Sequence, residues 1–243
     1  ASTIEAGSGA VAETKPASVY GTTTVIDSEE TETARANWVK EGDDWYYLLP
    51  DGSRNRQDLQ FDNALYKFNW NGSLKTAQCV PNTGGGAYPV FCYDEETQFL
   101  FDQLNDEKRD LYFEEYPDRE EDYSGDEKTQ YDRYAGFLMD EKLNQAAAYR
   151  LEAALVNGYS GDAIPGEGTL KNYLEKISYR KNSSCRELYL RGREDADDAF
   201  DKLIGKTQDK YDSSGKRKDS LEYYRRIGMA HAEKDGEHYF MVI

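Results

Sequence analysis

The stretch WVKEGDDWYYLLPDGS, residues 38–53, places two Trp and two Tyr within ten positions of a chain that is otherwise acidic and polar. Trp45, Tyr47 and Leu49 alternate with Tyr46 and Leu48 in a period of two, and residues of these types favour β-strands. The PDGS segment that follows has the composition of a turn. The stretch therefore predicts an aromatic strand with its hairpin turn.

A second copy of this pattern begins 20 residues later. The segment YYLLPDGS, residues 46–53, aligns with YKFNWNGS, residues 66–73, and the two share the first Tyr and the Gly-Ser of the turn. Repeated hairpins of this kind bury their aromatic side chains against their neighbours. The spacing therefore predicts a short internal repeat.

The overall composition limits the possible partners. The chain has 243 residues, enough for one large domain or a domain with an appendage. Its 47 acidic and 30 basic residues give a net charge of −17, which repels nucleic acid and anionic lipid and favours cationic or neutral partners. The sequence has no apolar run of about 18 residues that could span a membrane, and its first residues lack the pattern of a signal peptide.

Shifts in composition divide the chain into four parts. Residues 1–36 are rich in Ala, Ser, Thr, Gly and Glu and predict a flexible tether. Residues 37–76 contain the hairpin repeats, and residues 77–97 form a Gly-rich connector. In residues 98–243, helical periodicity combines with short strands, which predicts an α+β domain.

The last part predicts four helices, a short strand at residues 187–190 and a closing hairpin. The second helix has Asp140 as its N-cap and Gly158 as its stop. The hairpin turns at Asp235-Gly236, so that Glu233 faces His238 and His231 faces Phe240. The apolar positions of the other helices are Leu100, Phe101, Leu104, Leu111 and Phe113 in the first, Leu170, Tyr173, Leu174 and Ile177 in the third, and Ala196, Ala199, Phe200, Leu203 and Ile204 in the fourth.

The order of these elements resembles a CAP domain, the fold of cysteine-rich secretory proteins, antigen 5 and pathogenesis-related proteins. The resemblance covers residues 98–243. It rests on the helices FLFDQLNDEKRDL, LMDEKLNQAAAYRLEAALVN and DADDAFDKLI, on a strand at residues 186–189, and on the hairpin YYRRIGMAHAEKDGEHYFMV. It implies a CAP-like α/β/α sandwich preceded by the aromatic hairpins.

The CAP resemblance also points to a cleft. Members with an intact cleft carry two His and acidic partners that hold a divalent metal. Here Ser160 stands where the first His is expected, Asp209 stands near the place of the second, and only Glu187 keeps its position. The resemblance therefore implies a degenerate cleft that has no metal and no catalytic residues.

The opening hairpins resemble the cell-wall-binding repeats of choline-binding and glucan-binding surface proteins. In choline-binding members, two Trp and one Tyr surround a quaternary ammonium through cation–π attraction. Trp38, Trp45, Tyr47 and Tyr66 are the candidate ligand-binding residues here. Asp58 and Leu65 occupy the Trp positions of the second repeat, so the repeat provides one site at most. The alternative is that these aromatics pack on the neighbouring domain.

Other residues offer weaker candidates for chemistry. His231, His238 and Glu233 could hold a metal, or they could be polar residues of a half-exposed hairpin. The acidic segment at residues 114–127 lacks the spacing of a calcium loop and predicts a solvated surface. Ser160, Ser183 and Ser184 show no triad pattern. Two cysteines, Cys79 and Cys92, are positioned for a disulfide across their loop or for two free thiols, and Cys185 is expected to be free and buried.

Together these features predict an extracellular or cell-wall-associated binding protein with no cofactor. A cell-wall polymer, or another component of a host or surface, is the expected partner. The alternatives are a hydrolase or peptidase that uses an unorthodox CAP cleft, and a structural surface domain without a small ligand. An enzyme requires a nucleophile and a base that converge in one cleft, so the positions of Ser160, Glu187 and Asp209 discriminate among these functions.

Overall fold

The computed structural model describes residues 24–25, 37–61, 64–79, 94–118, 135–180 and 184–243. The helices are α1 (Glu95–Glu115), α2 (Glu141–Asn157), α3 (Leu170–Lys176) and α4 (Ala196–Thr207), with a 3₁₀ turn at Leu221–Tyr223. The strands are β1 (Thr24–Val25), β2 (Trp38–Glu41), β3 (Asp44–Tyr47), β4 (Leu59–Phe61), β5 (Ala64–Phe68), β6 (Leu74–Cys79), β7 (Leu138–Asp140), β8 (Ala163–Ile164), β9 (Gly168–Thr169), β10 (Leu188–Arg193), β11 (Arg226–Ile227), β12 (Met229–Lys234) and β13 (Glu237–Val242). This content confirms the α+β class.

A six-stranded sheet joins the aromatic hairpins to the later part of the chain. Its strand order is β1-β4-β5-β6-β7-β11. The pairs from β4 to β7 are antiparallel, whereas β1 runs parallel to β4 and β11 runs parallel to β7. The sheet thus crosses the boundaries drawn at residues 76 and 97, and the division of the chain into domains stays a prediction.

A second sheet, with the order β10-β13-β12, has helices on both faces. Successive residues of a strand point to opposite faces, and the packing follows this rule. Tyr189 and Met241 pack with residues of α2, and their neighbours Leu190 and Phe240 pack in a core with residues of α1 and α4. The helix residues on the two sides are Ala147, Leu151 and Ala154 of α2, and Leu100, Leu104, Ala199 and Leu203 of α1 and α4.

Two similar turns confirm the internal repeat. In the first, Asp51 Oδ1 accepts hydrogen bonds from the backbone N of Ser53 at 2.9 Å and from its Oγ at 2.6 Å. In the second, Asn71 Oδ1 accepts the equivalent bonds from Ser73 at 3.0 and 2.8 Å. The glycine that precedes the serine has a positive φ in both turns, 81° at Gly52 and 87° at Gly72. Glycine adopts this conformation without steric cost.

The predicted boundaries of α2 are also confirmed. Asp140 caps the helix because its side chain accepts hydrogen bonds from the backbone N of Lys142 and of Leu143 at 3.0 and 3.3 Å. The helix ends before Gly158. A glycine is also required at Gly228, because a Cβ added there would lie 2.1 Å from the carbonyl carbon of Leu143. The segment that leads into β12 therefore packs directly on the backbone of α2.

The closing hairpin has the predicted register. Both turn residues have positive φ, 55° at Asp235 and 78° at Gly236, as a type I′ turn requires. Glu233 pairs with His238, and His231 pairs with Phe240. A two-residue Asp-Gly turn therefore fixes which side chains share a face of this ribbon.

Several predictions concern residues outside the described ranges. These are Cys92, Ser183, most of the acidic segment at residues 114–127, and the tether at residues 1–36, of which only β1 is described. Only the backbone of Cys79 is described, so the disulfide stays a prediction. The expectation of a buried Cys185 is wrong, because this free thiol is exposed in the segment that precedes β10.

Replacing Trp38 with Ala should destabilise the whole protein, because Trp38 is a buried member of the main core. The expected loss is about 3–5 kcal/mol, seen as a lower melting temperature by circular dichroism. Trp70 is 86% exposed, so Trp70→Ala is the matched control and should change stability by less than about 0.5 kcal/mol. Equal melting temperatures for the two variants would contradict the packing of Trp38 in the main core.

A carboxyl on α1 makes stability depend on pH. Burial, together with the nearby Asp106, raises the pKa of Asp102 to about 6, although a hydrogen bond from Gln98 acts in the opposite direction. The folded state therefore holds a proton on Asp102 more tightly than the unfolded chain does. Stability falls as pH rises from about 4 through 6, because the buried carboxyl must ionise.

Asp102→Asn removes this ionisation while it keeps the shape of the side chain. We expect the variant to be more stable than the parent at pH 7, by about 1–2 kcal/mol after allowance for solvent screening. The gain should disappear at pH 4, where the parent is protonated. Urea denaturation at the two pH values measures the difference, with the exposed Asp110→Asn as control. A gain that is equal at both pH values would rule out this explanation.

Candidate functional site

Three of the four predicted ligand-binding aromatics form an aromatic cluster in the core. The ring of Trp38 contacts Tyr47 and Tyr66 edge to face, with centroid distances of 5.4 and 5.1 Å, and stacks on Phe68 at 5.7 Å. Tyr47 and Tyr66 are fully buried, and Asn37 Nδ2 donates to the Tyr47 hydroxyl at 3.0 Å. In this structure the cluster stabilises the fold, and a ligand reaches these rings only if the hairpins open.

Two other aromatic rings of the first hairpin already have cations beside them. Trp45 is half-buried, and Lys40 Nζ lies 5.8 Å from the centroid of its ring. The guanidinium of Arg54 lies 3.7 Å from the ring centroid of Tyr46. These are the ring faces that a quaternary ammonium uses for cation–π attraction. The protein's own cations therefore compete for them.

Trp70 is the most exposed of the large hydrophobic side chains that the structure describes, at 86%. It lies in the turn between β5 and β6 of the second hairpin, where its counterpart in the first repeat is Pro50. Trp70 is not among the predicted ligand-binding residues, because it is outside the aromatic positions of the repeat. A Trp inside a turn sequence, NWNGS, is itself a signal of exposure, because turns lie at the surface.

Glu187 forms a buried ion pair with Arg150. The Arg150 Nε donates to Glu187 Oε2, and Nη2 donates to Oε1 at 2.8 Å. The same guanidinium donates to the carbonyl oxygens of Gly168 and Thr169 at 3.2 and 3.4 Å. Neither side chain is more than 3% exposed. The pair therefore ties α2 to β9 and to the segment that enters β10.

Ser160 and Asp209 are both exposed. The backbone N of Ser160 donates to the carbonyl of Ala163 at 3.0 Å, and that of Asp209 donates to Ile204 at 3.3 Å. Among the described residues that line the cavity beside β10, Glu187 is present and Ser160 and Asp209 are not. The structure therefore brings only Glu187 of the three predicted cleft residues into this cavity.

The cavity beside β10 and α4 has a volume of about 930 Å³ and is rich in basic residues. Among the described residues, nineteen line the cavity, of which seven are Lys or Arg and three are acidic, although the whole chain has more acidic than basic residues. We name it the basic cavity after five of these cations, Arg191, Arg193, Lys202, Lys206 and Lys210. The net charge gave no sign of it, because a total charge does not describe the local field.

The two histidines form a chain of contacts that begins at the N-cap of α1. Asp94 Oδ1 accepts from the backbone N of Thr97 at 2.8 Å, and its Oδ2 lies 2.7 Å from His231 Nδ1. The other ring nitrogen of His231 lies 2.7 Å from His238 Nδ1. Burial raises the pKa of Asp94, but the bonds from His231 and Thr97 outweigh it and lower the pKa to about 2.

The described residues of this hairpin do not form the metal site that was one alternative for His231, His238 and Glu233. Within the described part of the chain, no three His, Cys, Asp or Glu side chains come together as a candidate metal site, and Glu233 is exposed. No helix in the described ranges is long and apolar enough to cross a lipid bilayer.

Comparison with known proteins identifies one region. Residues 37–53 match the family model of the cell wall binding repeat, of the choline-binding type. The match covers the first hairpin and its following turn, and it confirms the predicted repeat. No curated protein and no solved structure matches the chain to a significant degree. A repeat of this family points to a role in binding at the cell surface.

The buried pair predicts a large difference between single and double replacements. Glu187→Gln leaves the guanidinium of Arg150 buried without its counter-charge and should cost about 3–5 kcal/mol, whereas Arg150→Met combined with Glu187→Leu should cost much less. The free energy of unfolding in urea measures both. As a control, Asp219→Asn removes a half-exposed partner of Arg186 and should cost at most about 1 kcal/mol. A Glu187→Gln variant as stable as the control would contradict the burial of the pair.

Proposed function

We propose that this chain is a cell-surface binding protein, associated with the cell wall, that joins a wall-binding repeat to a degenerate, non-catalytic CAP-like domain. The observation that carries the proposal is the match of residues 37–53 to the cell wall binding repeat. The expected partner is a polymer of the cell wall. Such a partner implies an extracellular or wall-associated location, and neither nucleic acid nor a membrane is required.

The CAP-like part of the proposal is supported by the layers of the fold. The sheet β10-β13-β12 has α2 on one face and α1 with α4 on the other. The helices, the single strand and the closing hairpin follow one another in the order on which the resemblance rests. An α/β/α sandwich needs this arrangement, in which both faces of one sheet bury apolar side chains against helices.

A binding role is favoured over hydrolysis by the state of the one cleft residue that matches the CAP pattern. Both carboxylate oxygens of Glu187 accept hydrogen bonds from Arg150, and the side chains of this pair are buried. Glu187 is therefore occupied by a structural contact. His231 contacts Asp94 and His238 through its two ring nitrogens, so both nitrogens of that imidazole already have partners within the protein.

The exposed side of the hairpins is the surface proposed for wall binding. Trp38, Tyr47 and Tyr66 are buried in the aromatic cluster, whereas Trp70 projects into solvent from the second turn. A flat aromatic ring offers an apolar face to a sugar ring. The repeat thus contributes through its exposed turn, and its inner aromatics hold the hairpins on the rest of the protein.

The test is co-sedimentation of the full chain with purified cell walls whose polymers carry choline. We expect the parent to sediment with the walls and Trp70→Ala to be retained several-fold less. Phe99→Ala removes another exposed aromatic, from α1, and should bind as the parent does. Choline at millimolar concentration should leave both wall binding and Trp fluorescence unchanged, because the aromatic cluster is closed.

Three results would each count against one part of this proposal. A parent that stays in the supernatant would contradict wall binding. Elution by choline, together with a shift of Trp emission, would indicate that the ligand binds at Trp38, Trp45, Tyr47 and Tyr66, as the sequence predicts, and not at Trp70. Release of soluble wall fragments by the parent, abolished in a folded Glu187→Gln variant, would favour the hydrolase.

A further inference from the structure

The cations of the basic cavity come from two packed elements. Arg191 and Arg193 belong to β10, on either side of the bulge at Gly192. Lys202 and Lys206 are one helical turn apart on α4, which packs on β10, and this spacing separates them by about 6 Å along the helix axis. Lys210 follows the end of the helix. Two rows of positive charge therefore line one cavity.

Most of the carboxylates in the cavity wall already have a cationic partner. Glu187 pairs with Arg150, and Asp219 pairs with Arg186; Asp162 also lines the cavity. Arg193 lies 3.6 Å from Asp198. Arg191, Lys202, Lys206 and Lys210 form no ion pair with any carboxylate in the part of the chain that the structure describes. The cavity therefore has an excess of positive charge, although the whole protein has more acidic than basic residues.

Lys206 shows that these cations act on one another. Its Nζ lies 3.4 Å from the carbonyl oxygen of Tyr189. Burial lowers the pKa of Lys206, and Lys202, Arg193, Arg191 and Lys210 lower it further. Like charges held together in this way raise the free energy of the empty cavity, and an anion with several charges would relieve the repulsion.

We propose that the basic cavity binds an oligoanion, namely a phosphate-bearing stretch of a cell-wall polymer. Arg191, Lys202, Lys206 and Lys210 contact successive anionic groups, since Lys and Arg are the side chains suited to phosphate. The hydroxyphenyl rings of Tyr159 and Tyr189, whose centroids are 5.2 Å apart, also line the cavity. The guanidinium of Arg191 lies 5.8 Å from the ring centroid of Tyr189, so Tyr159 is the ring that contacts the sugar or polyol units between the phosphates. The binding chemistry is independent of the proposed function, and only the source of the ligand rests on it.

A wall polymer suits this site better than a nucleic acid. A long nucleic acid would lie against the rest of a protein whose net charge is −17, and that field repels a continuous polyanion. A polymer whose charges are spread among neutral sugars can place a few phosphates in the cavity without the same repulsion elsewhere. We therefore expect a wall polymer, and not a nucleic acid, as the ligand.

The first experiment is calorimetric titration of the full chain with inorganic tripolyphosphate. We expect binding with one-to-one stoichiometry, roughly tenfold or more tighter than for monophosphate, and weakened by added salt. Lys202→Gln combined with Lys206→Gln should weaken it by at least about tenfold. The matched control is Lys142→Gln combined with Lys176→Gln, which removes two exposed cations from α2 and α3. Equal losses in the two double variants, or no binding by the parent, would overturn the site.

Folding and ligand source are then separated. Melting temperatures show whether the double variant folds, and the exposed Arg191→Gln gives a second variant that leaves α4 intact.

Tripolyphosphate should displace the parent from cell walls in part, and phosphate-free walls should retain less of it. Walls that bind the parent without any displacement would overturn the cavity proposal but leave wall binding intact. Tripolyphosphate binding without wall binding would contradict the proposed function and the wall polymer as the source of the ligand, but it would support the anion site itself. A single-stranded DNA oligonucleotide that binds more tightly than phosphate-bearing wall fragments would overturn the choice of a wall polymer.

Discussion

A fully buried guanidinium needs hydrogen-bond acceptors and a counter-charge close by. Arg150 donates two hydrogen bonds to Glu187 and one each to the carbonyl oxygens of Gly168 and Thr169. Because these acceptors come from β9 and from the entry to β10, the position of α2 on its sheet is fixed by one side chain. The apolar stripe of α2 provides the area that is buried, and Arg150 determines how the neighbouring segments approach it.

The local elements of this fold were predictable because their signals are local. The N-cap Asp140, the stop at Gly158 and the Asp-Gly turn of the closing hairpin each depend on residues within a few positions. The repeated turns at Gly52 and Gly72 follow in the same way from the Gly-Ser pairs. In each case the sequence that predicts the element also supplies the hydrogen bonds that form it, so little tertiary information is needed.

The long-range features were not predictable from the same signals. The ion pair of Arg150 joins residues 37 positions apart, and the contact of Asp94 with His231 joins residues 137 positions apart. One clue was present: Arg150 falls within the apolar stripe of α2, where a charge needs a buried partner. The sequence did not identify that partner. The basic cavity was missed for a related reason, since the net charge of −17 hides a cluster assembled from separate segments.

The inner aromatic rings of the repeat are buried in the core because the second copy lacks the matching Trp residues. Asp58 and Leu65 stand at the Trp positions of the second copy. Asp58 instead accepts a hydrogen bond from Lys67 at 2.7 Å. Without a second Trp to complete an open site, Trp38 packs against Tyr47, Tyr66 and Phe68, and the inner face of the repeat becomes part of the core. Recognition is then left to surfaces that the core does not use, which are the turn at Trp70 and the cavity between β10 and α4.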